Sequence, residues 1–222
     1  MSSGSSPRAR APRGPYRSSA ETRQRLINAA LSLFSRHGFD GASTRDIAAS
    51  TGIALPAITY HFGSKEGLYR ACAEHVVERY RSRMQTGVET IYASMPVPPD
   101  VARAALQQVV TLLAGMLLDA ADDDSWVTFM MREMNDTGPA HDLLYRDLWK
   151  PGLALVAGLV AAIGGRAEAS EADRLEALLL LSSFSAFTTA RRVALDFGGW
   201  TAIDASLVAA IVARLQARIA AL

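Results

Sequence analysis

The chain has 222 residues, half of them apolar, with 23 basic against 22 acidic side chains and one cysteine; it can bury a large core but cannot build an intramolecular disulfide framework. Its longest uninterrupted apolar run, residues 153–163, falls well short of the roughly 18 to 20 residues that span a bilayer. No compact apolar segment marks the amino terminus as a secretory signal, so a cytoplasmic protein without a membrane partner is expected.

The near-neutral total hides an asymmetry. Residues 1–83 carry 13 basic and 6 acidic side chains, whereas residues 84–222 carry 10 and 16. A basic front and an acidic back are what a chain needs when one end neutralises phosphates and the other does not. Arginine makes up 21 of the 23 basic residues, which fits an alanine-rich composition but does not account for their position.

Residues 1–19 combine Ser, Gly and Pro with Arg8, Arg10, Arg13 and Arg17 and show no apolar periodicity, so they are expected to form a disordered basic arm. A helix from Glu21 to His37 follows, with Leu26, Ile27, Ala30, Leu33 and Phe34 on one face and Gly38 as its stop. Ser43 and Asp46 have the spacing of a capping box, which opens a second helix that Gly52 ends. The third helix, from about Leu55 to His61, buries Ile58 and leaves Leu55, Ala57, Thr59 and Tyr60 on its free surface. Pro56 is tolerated in its first turn, where an N–H has no intrahelical acceptor. Ser64 caps a fourth helix carrying Leu68, Cys72, Val76 and Tyr80, which bridges this head to the rest of the chain.

Beyond a break at residues 95–99 the periodicity predicts helices over 100–120, 125–135, 139–163 with a kink at Pro151, 170–195 opened by a Ser170/Asp173 capping box, and 204–222 opened by Asp204. No segment alternates as a strand does. The expectation is an all-α protein of about nine helices, with a helix-turn-helix head over residues 20–66 and a larger helical ligand-binding and dimerisation body over residues 67–222.

Residues 43–65, STRDIAASTGIALPAITYHFGSK, therefore read as two short helices joined by a glycine turn, the arrangement that sets one helix into a major groove. The ordered set Thr44, Arg45, Asp46, Ile47, Ala48, then Gly52 and Ile53, then Tyr60, His61 and Phe62, then Lys65 and Leu68 resembles the TetR family of transcriptional regulators over roughly residues 20–70. The chain departs from that pattern at Ala54 and Thr59. The later segments REMNDTGPAHDLLYRDLWKP and ARRVALDFGGW resemble the carboxy-terminal domain of the CecR branch. The resemblance implies a homodimeric regulator that binds a double-stranded operator and responds to a small molecule. On this reading Thr44, Arg45, Thr59, Tyr60, His61 and Lys65 meet mainly phosphates, and Leu55, Pro56 and Ala57 lie near base edges.

The body offers three further readings. Aromatic and thioether side chains at Trp126, Met130, Met134, Tyr145, Trp149, Phe184 and Phe187 are expected to converge on a plastic, partly apolar pocket, with Arg191 among the polar groups that orient a ligand. Arg132, Glu133, Asn135 and Arg192 are further candidates for that role. The last two helices carry more apolar surface than one core can use, and Leu178, Leu181, Leu207, Ile211 and Leu215 are expected to meet a second copy, as the corresponding helices do in the family. No catalytic motif appears, and Cys72 with His75 supplies only two potential ligands, so neither metal nor cofactor is expected. Asp122–Asp124 favour the amino end of the helix opened by Ser125.

Overall fold

The computed structural model describes residues 19–84, 96–118 and 125–222, and every regular element among the described residues is a helix. The basic arm up to residue 18 and Asp122–Asp124 lie outside the described residues.

The head is built on α1 (Ser19–Gly41), whose helical path breaks at Gly38, followed by α2 (Thr44–Thr51) and α3 (Leu55–Phe62). Its small core is sealed by Leu26, Ile27, Ala30 and Phe34 of α1, Ile47 of α2 and Ile58 of α3. Local chemistry sets the helix limits. The Ser43 hydroxyl oxygen accepts from the Asp46 N–H at 3.1 Å, while the Asp46 carboxylate accepts from the Ser43 hydroxyl at 2.6 Å. The carboxylate thus holds the capping hydroxyl in place of the reciprocal backbone bond that the spacing predicts. Gly52 takes the left-handed conformation (φ 65°) that ends α2 without a Cβ penalty. Arg25 of α1 donates to the freed Thr51 carbonyl at 2.8 Å and so ties the end of α2 to the rest of the head.

From the head, α4 (Lys65–Met84) runs into the body, where α5 (Pro99–Leu118) packs against both α8 (Lys150–Ile163) and α11 (Ala205–Ala220). By length and composition α5 matches a bilayer-crossing helix, with a mean hydropathy of 1.6 over its most apolar window. It buries Leu106, Val109, Val110 and Leu113 among its neighbours as a core helix does. The remaining elements are α6 (Ser125–Asp136), which packs on α1, α7 (His141–Leu144), a π-helical turn (Tyr145–Trp149), α9 (Glu171–Ser182) on α8, and α10 (Arg191–Gly198).

Two long helices expected from the sequence are interrupted. The 139–163 segment starts at His141 and widens into the π turn before Pro151, because proline cannot donate to the Asp147 carbonyl and its ring crowds that oxygen. Arg81 of α4 reaches the same carbonyl at 3.5 Å, so the break also joins α4 to the body. The 170–195 segment ends at Ser182 and resumes at Arg191. In between, hydroxyls compete for helix carbonyls: Ser182 and Ser183 both donate to Leu179 O, at 3.1 and 3.0 Å, and Thr188 donates to Phe184 O at 3.1 Å. Backbone bonds shorten there to the three-residue type, as from Phe187 N–H to Phe184 O at 3.0 Å.

The Ser170/Asp173 capping box is complete, with Ser170 N–H donating to Asp173 at 2.9 Å and Asp173 N–H to Ser170 at 3.3 Å. Arg166 clamps the same buried carboxylate in two hydrogen bonds, and this clamp, more than the Ser170 bonds, draws the Asp173 acid down to about 2 from its ordinary 3.8. A carboxyl more acidic in the folded chain stabilises the fold above its unfolded pKa, and that contribution is lost as pH falls through the window from 3.8 to about 2. Asp173→Asn is therefore expected to lower the urea midpoint at pH 7, and its deficit relative to wild type should shrink as pH falls from 3.8 to about 2; an equal deficit at pH 7 and pH 2 removes the ion pair from the account.

Candidate nucleic-acid interface and effector cavity

Ile58 is the buried anchor of α3, and around it the helix turns Leu55, Pro56, Thr59 and Tyr60 outward, with Tyr60 81% exposed. Ala57 and His61 are half-buried at the edge of this surface, and the rings of Tyr60 and His61 meet edge to face at 5.0 Å. Arg45 is exposed and Thr44 half-exposed in the first turn of α2. Lys65 opens α4 with its Nζ 4.6 Å from the centre of the Phe39 ring, and the Arg23 guanidinium lies 5.4 Å from that of Phe62. The two aromatic rings beside the turn thus hold cations at the margin of the exposed face. All nine residues singled out for DNA contact belong to α2, α3 or the first position of α4, and none is fully buried.

One helix connects this surface to the interior of the body. Near the head, Tyr69 of α4 is buried between Phe34, Phe39 and Phe129 and donates to the Glu133 carboxylate at 2.5 Å. Burial first, and the Glu133 carboxylate second, push the Tyr69 phenol well above its ordinary range, so it stays protonated and keeps donating. The other Glu133 oxygen accepts from the Ala140 N–H at 2.8 Å. Gly138 is held against this carboxylate so tightly that a Cβ there would come to 2.1 Å from it. Glu133 therefore joins α4, α6 and the turn into α7, and it does not face a ligand as the sequence reading had it. Cys72, buried with its thiol 3.8 Å from the Ile27 carbonyl, is pushed up by desolvation, and burial followed by Arg79 and Arg23 holds His75 down.

Further along α4, Tyr80 and Met84 line a cavity of about 390 Å³. Met130, Met134, Tyr145, Trp149 and Phe184 line it as expected. Trp126 does not: it is fully buried one turn before Met130, with the Arg79 guanidinium 5.5 Å from the centre of its ring. Phe187 and Arg191 face a second cavity of about 430 Å³, because the interrupted helix turns them away from Phe184. Asn135 joins them there, whereas Arg192 is held by Asp196 at 2.8 Å.

The sequence reading missed Tyr80 and His141, although the spacing of four between His141, Tyr145 and Trp149 was visible. These three rings form a ladder along one cavity wall, with His141 6.2 Å from Tyr145 and 5.5 Å from Trp149. The Trp149 indole N–H on this wall is buried and has no acceptor among the described residues. Leu178 and Leu181, expected to meet a second copy, also line the cavity, although Leu178 stays 51% exposed. Ile211 and Leu215, expected at the same interface, are buried in the chain's own core on the helix that packs against α5, and Leu207 is half-buried. The apolar surface left open lies on α9 at Leu175, Leu178 and Leu179 and on α10 at Val193 and Phe197.

Residues 26–72 match the model of the tetR family of bacterial regulatory proteins, and residues 102–222 match the carboxy-terminal domain of the HTH-type transcriptional dual regulator CecR. The chain is 30% identical over 191 residues to CecR of Shigella flexneri, covering 83% of each protein. A 58-residue stretch is 47% identical to the regulatory protein RaaS of Mycobacterium tuberculosis, covering 26% of this chain and 27% of that one. The crystal structure of a TetR-like transcriptional regulator from Rhodococcus sp. RHA1 shares the fold, with a TM-score of 0.63 at 24% identity over 96% of this chain and 99% of that one. The helical architecture and its helix-turn-helix head thus define a DNA-binding transcriptional regulator. The chain belongs to the TetR family and carries the carboxy-terminal domain of the CecR type.

Removing the Tyr69 hydroxyl leaves the buried Glu133 carboxylate short of a donor, which costs about 1 to 3 kcal/mol. Tyr69→Phe should lower the unfolding free energy by about that amount in urea; an unchanged midpoint would show that Glu133 finds its partner elsewhere.

Proposed function

We propose that the protein is a cytoplasmic, ligand-responsive repressor whose homodimer grips a palindromic operator through two copies of α3 and lets go when a small, partly apolar molecule fills the body. In this reading residues 20–66 form the DNA-binding head and residues 67–222 the ligand-binding and dimerisation body. The observation that carries it is the path of α4: Lys65 begins it beside the exposed face of α3, and Tyr80 and Met84 line the cavity at its other end. A molecule that displaces those side chains pushes on the element that sets the angle of the head. Operator half-sites read by one dimer lie about 34 Å apart, so a small rotation of each α4 spoils the fit of both heads together.

The open leucines of α9 support the dimer, since a row of Leu175, Leu178 and Leu179 on one helical face is costly to leave in water. The contacts to DNA follow the exposed surface: Arg45, Lys65, Thr44, Thr59, Tyr60 and His61 toward phosphates, and Leu55, Pro56 and Ala57 toward bases. With few polar base readers, much of the selectivity comes from the shape of the duplex. The dual-regulator description of the Shigella flexneri relative favours a second reading, in which the bound dimer also activates some promoters; transcription assays on recovered sites separate the two.

Selection of genomic fragments with the purified protein should recover a palindrome. On that site Lys65→Ala should reduce the slope of log affinity against log salt by about one phosphate contact per head. An unchanged slope removes Lys65 from the interface. Leu175→Glu should yield a folded monomer in sedimentation analysis, with operator binding lost; a dimer of undiminished affinity would place the subunit interface elsewhere.

A further inference from the structure

The two cavities share a wall. Leu117, Met131 and Thr188 line both, and within that wall the Thr188 hydroxyl lies 4.0 Å from the Met131 sulfur. A thioether on a flexible, unbranched stem is an easily parted barrier. The chemistry on its two sides differs sharply. The first cavity is lined mostly by aromatic, aliphatic and thioether side chains, joined by the His141 imidazole and the hydroxyls of Ser182, Ser185 and Thr188, and by no carboxylate or guanidinium among the described residues. The second presents Arg132, Arg191, Asn135 and Asp136.

Among the described residues, the charges of the second cavity do not cancel. Asp136 lies 3.7 Å from Arg132, which also reaches the Arg36 carbonyl at 3.4 Å, so that pair is spoken for. Arg191 is half-buried and makes no ion pair with any described residue. Its neighbour Arg192 is neutralised by Asp196. A guanidinium that lines a cavity without a counter-charge among the described residues is a fork-shaped donor set suited to a carboxylate or phosphate.

Building on the cavity reading above, we propose that the effector is an elongated amphipathic acid. Its apolar body occupies the first cavity beside Tyr145 and Trp149, it passes the Met131–Thr188 partition, and its anionic end is held by Arg191 in the second. The first cavity falls within the roughly 300 to 1,000 Å³ range of small-molecule sites, and the second adds room for a headgroup. This division also explains why Phe187 and Arg191 are turned away from Phe184: the interruption after Ser182 places the cation at one end of the apolar slot.

The test is calorimetric titration of the full-length protein with three probes of one chain length: decanoate, decanol and decyltrimethylammonium. Decanoate should bind about tenfold more tightly than decanol, the size of one charge-assisted contact in a half-open site, and the cationic probe more weakly than either. Arg191→Gln should bring decanoate and decanol within about twofold, while Arg192→Gln leaves the preference intact. Gly152→Leu places a side chain in the first cavity where a Cβ meets only the Tyr80 hydroxyl at 3.6 Å, and it should abolish decanol binding. Equal binding of acid and alcohol, or an acid preference that survives Arg191→Gln, overturns the headgroup assignment and leaves the apolar cavity standing. Failure of decanol and decanoate alike overturns both.

Discussion

One helix belongs to two places at once. The first residues of α4 pack with the head, where Leu68, Tyr69 and Cys72 are sealed in the core, and its last turns hold Tyr80 and Met84 against the cavity. A helix of 20 residues is a stiff rod about 30 Å long, so displacement at one end is delivered to the other and not absorbed between. The rest of the structure is arranged around this rod. Tyr69 fastens it to α6 through the buried Glu133, and Arg81 fastens it to the π turn through the Asp147 carbonyl. Both attachments join α4 to elements that line the cavity, α6 through Glu133 and the π turn through Asp147.

The same arrangement accounts for the unusual chemistry along residues 132–151. A buried carboxylate survives at Glu133 because a phenol and a backbone N–H satisfy it and because Gly138 lets the turn close over it. Pro151 removes one helical hydrogen bond, and the resulting π turn puts His141, Tyr145 and Trp149 along one wall. Both features cost local stability. Both lie on elements that border the cavity.

Features governed by neighbouring residues were legible in the sequence. Ser43, Gly52, Ser170 and Asp204 mark helix limits because caps act over three or four residues. The exposed face of α3 followed from the burial of Ile58, and the ordered motif around it carried the family. Longer-range outcomes were not legible in this way. Trp126 and Met130 share a helical face, yet one turn of rise, about 5 Å, is enough to put the first in the core and the second at the cavity. Phe187 and Arg191 left the first cavity because the helix is interrupted from Ser182 to Arg191, where the Ser183 and Thr188 hydroxyls take up helix carbonyls. The apolar stripe of α11 was visible, but that Ile211 and Leu215 are spent on the chain's own α5 depends on packing that periodicity does not encode.

The most direct test of the central claim is the operator affinity of Gly152→Leu, which fills the cavity from α8 and presses on Tyr80 without altering the head. If α4 transmits cavity filling to the recognition surface, this folded dimer should bind the selected operator about tenfold or more weakly than wild type, the scale of a typical coupling between sites. A folded dimer that binds with wild-type affinity would contradict the account, since the cavity would then be full and the head unmoved.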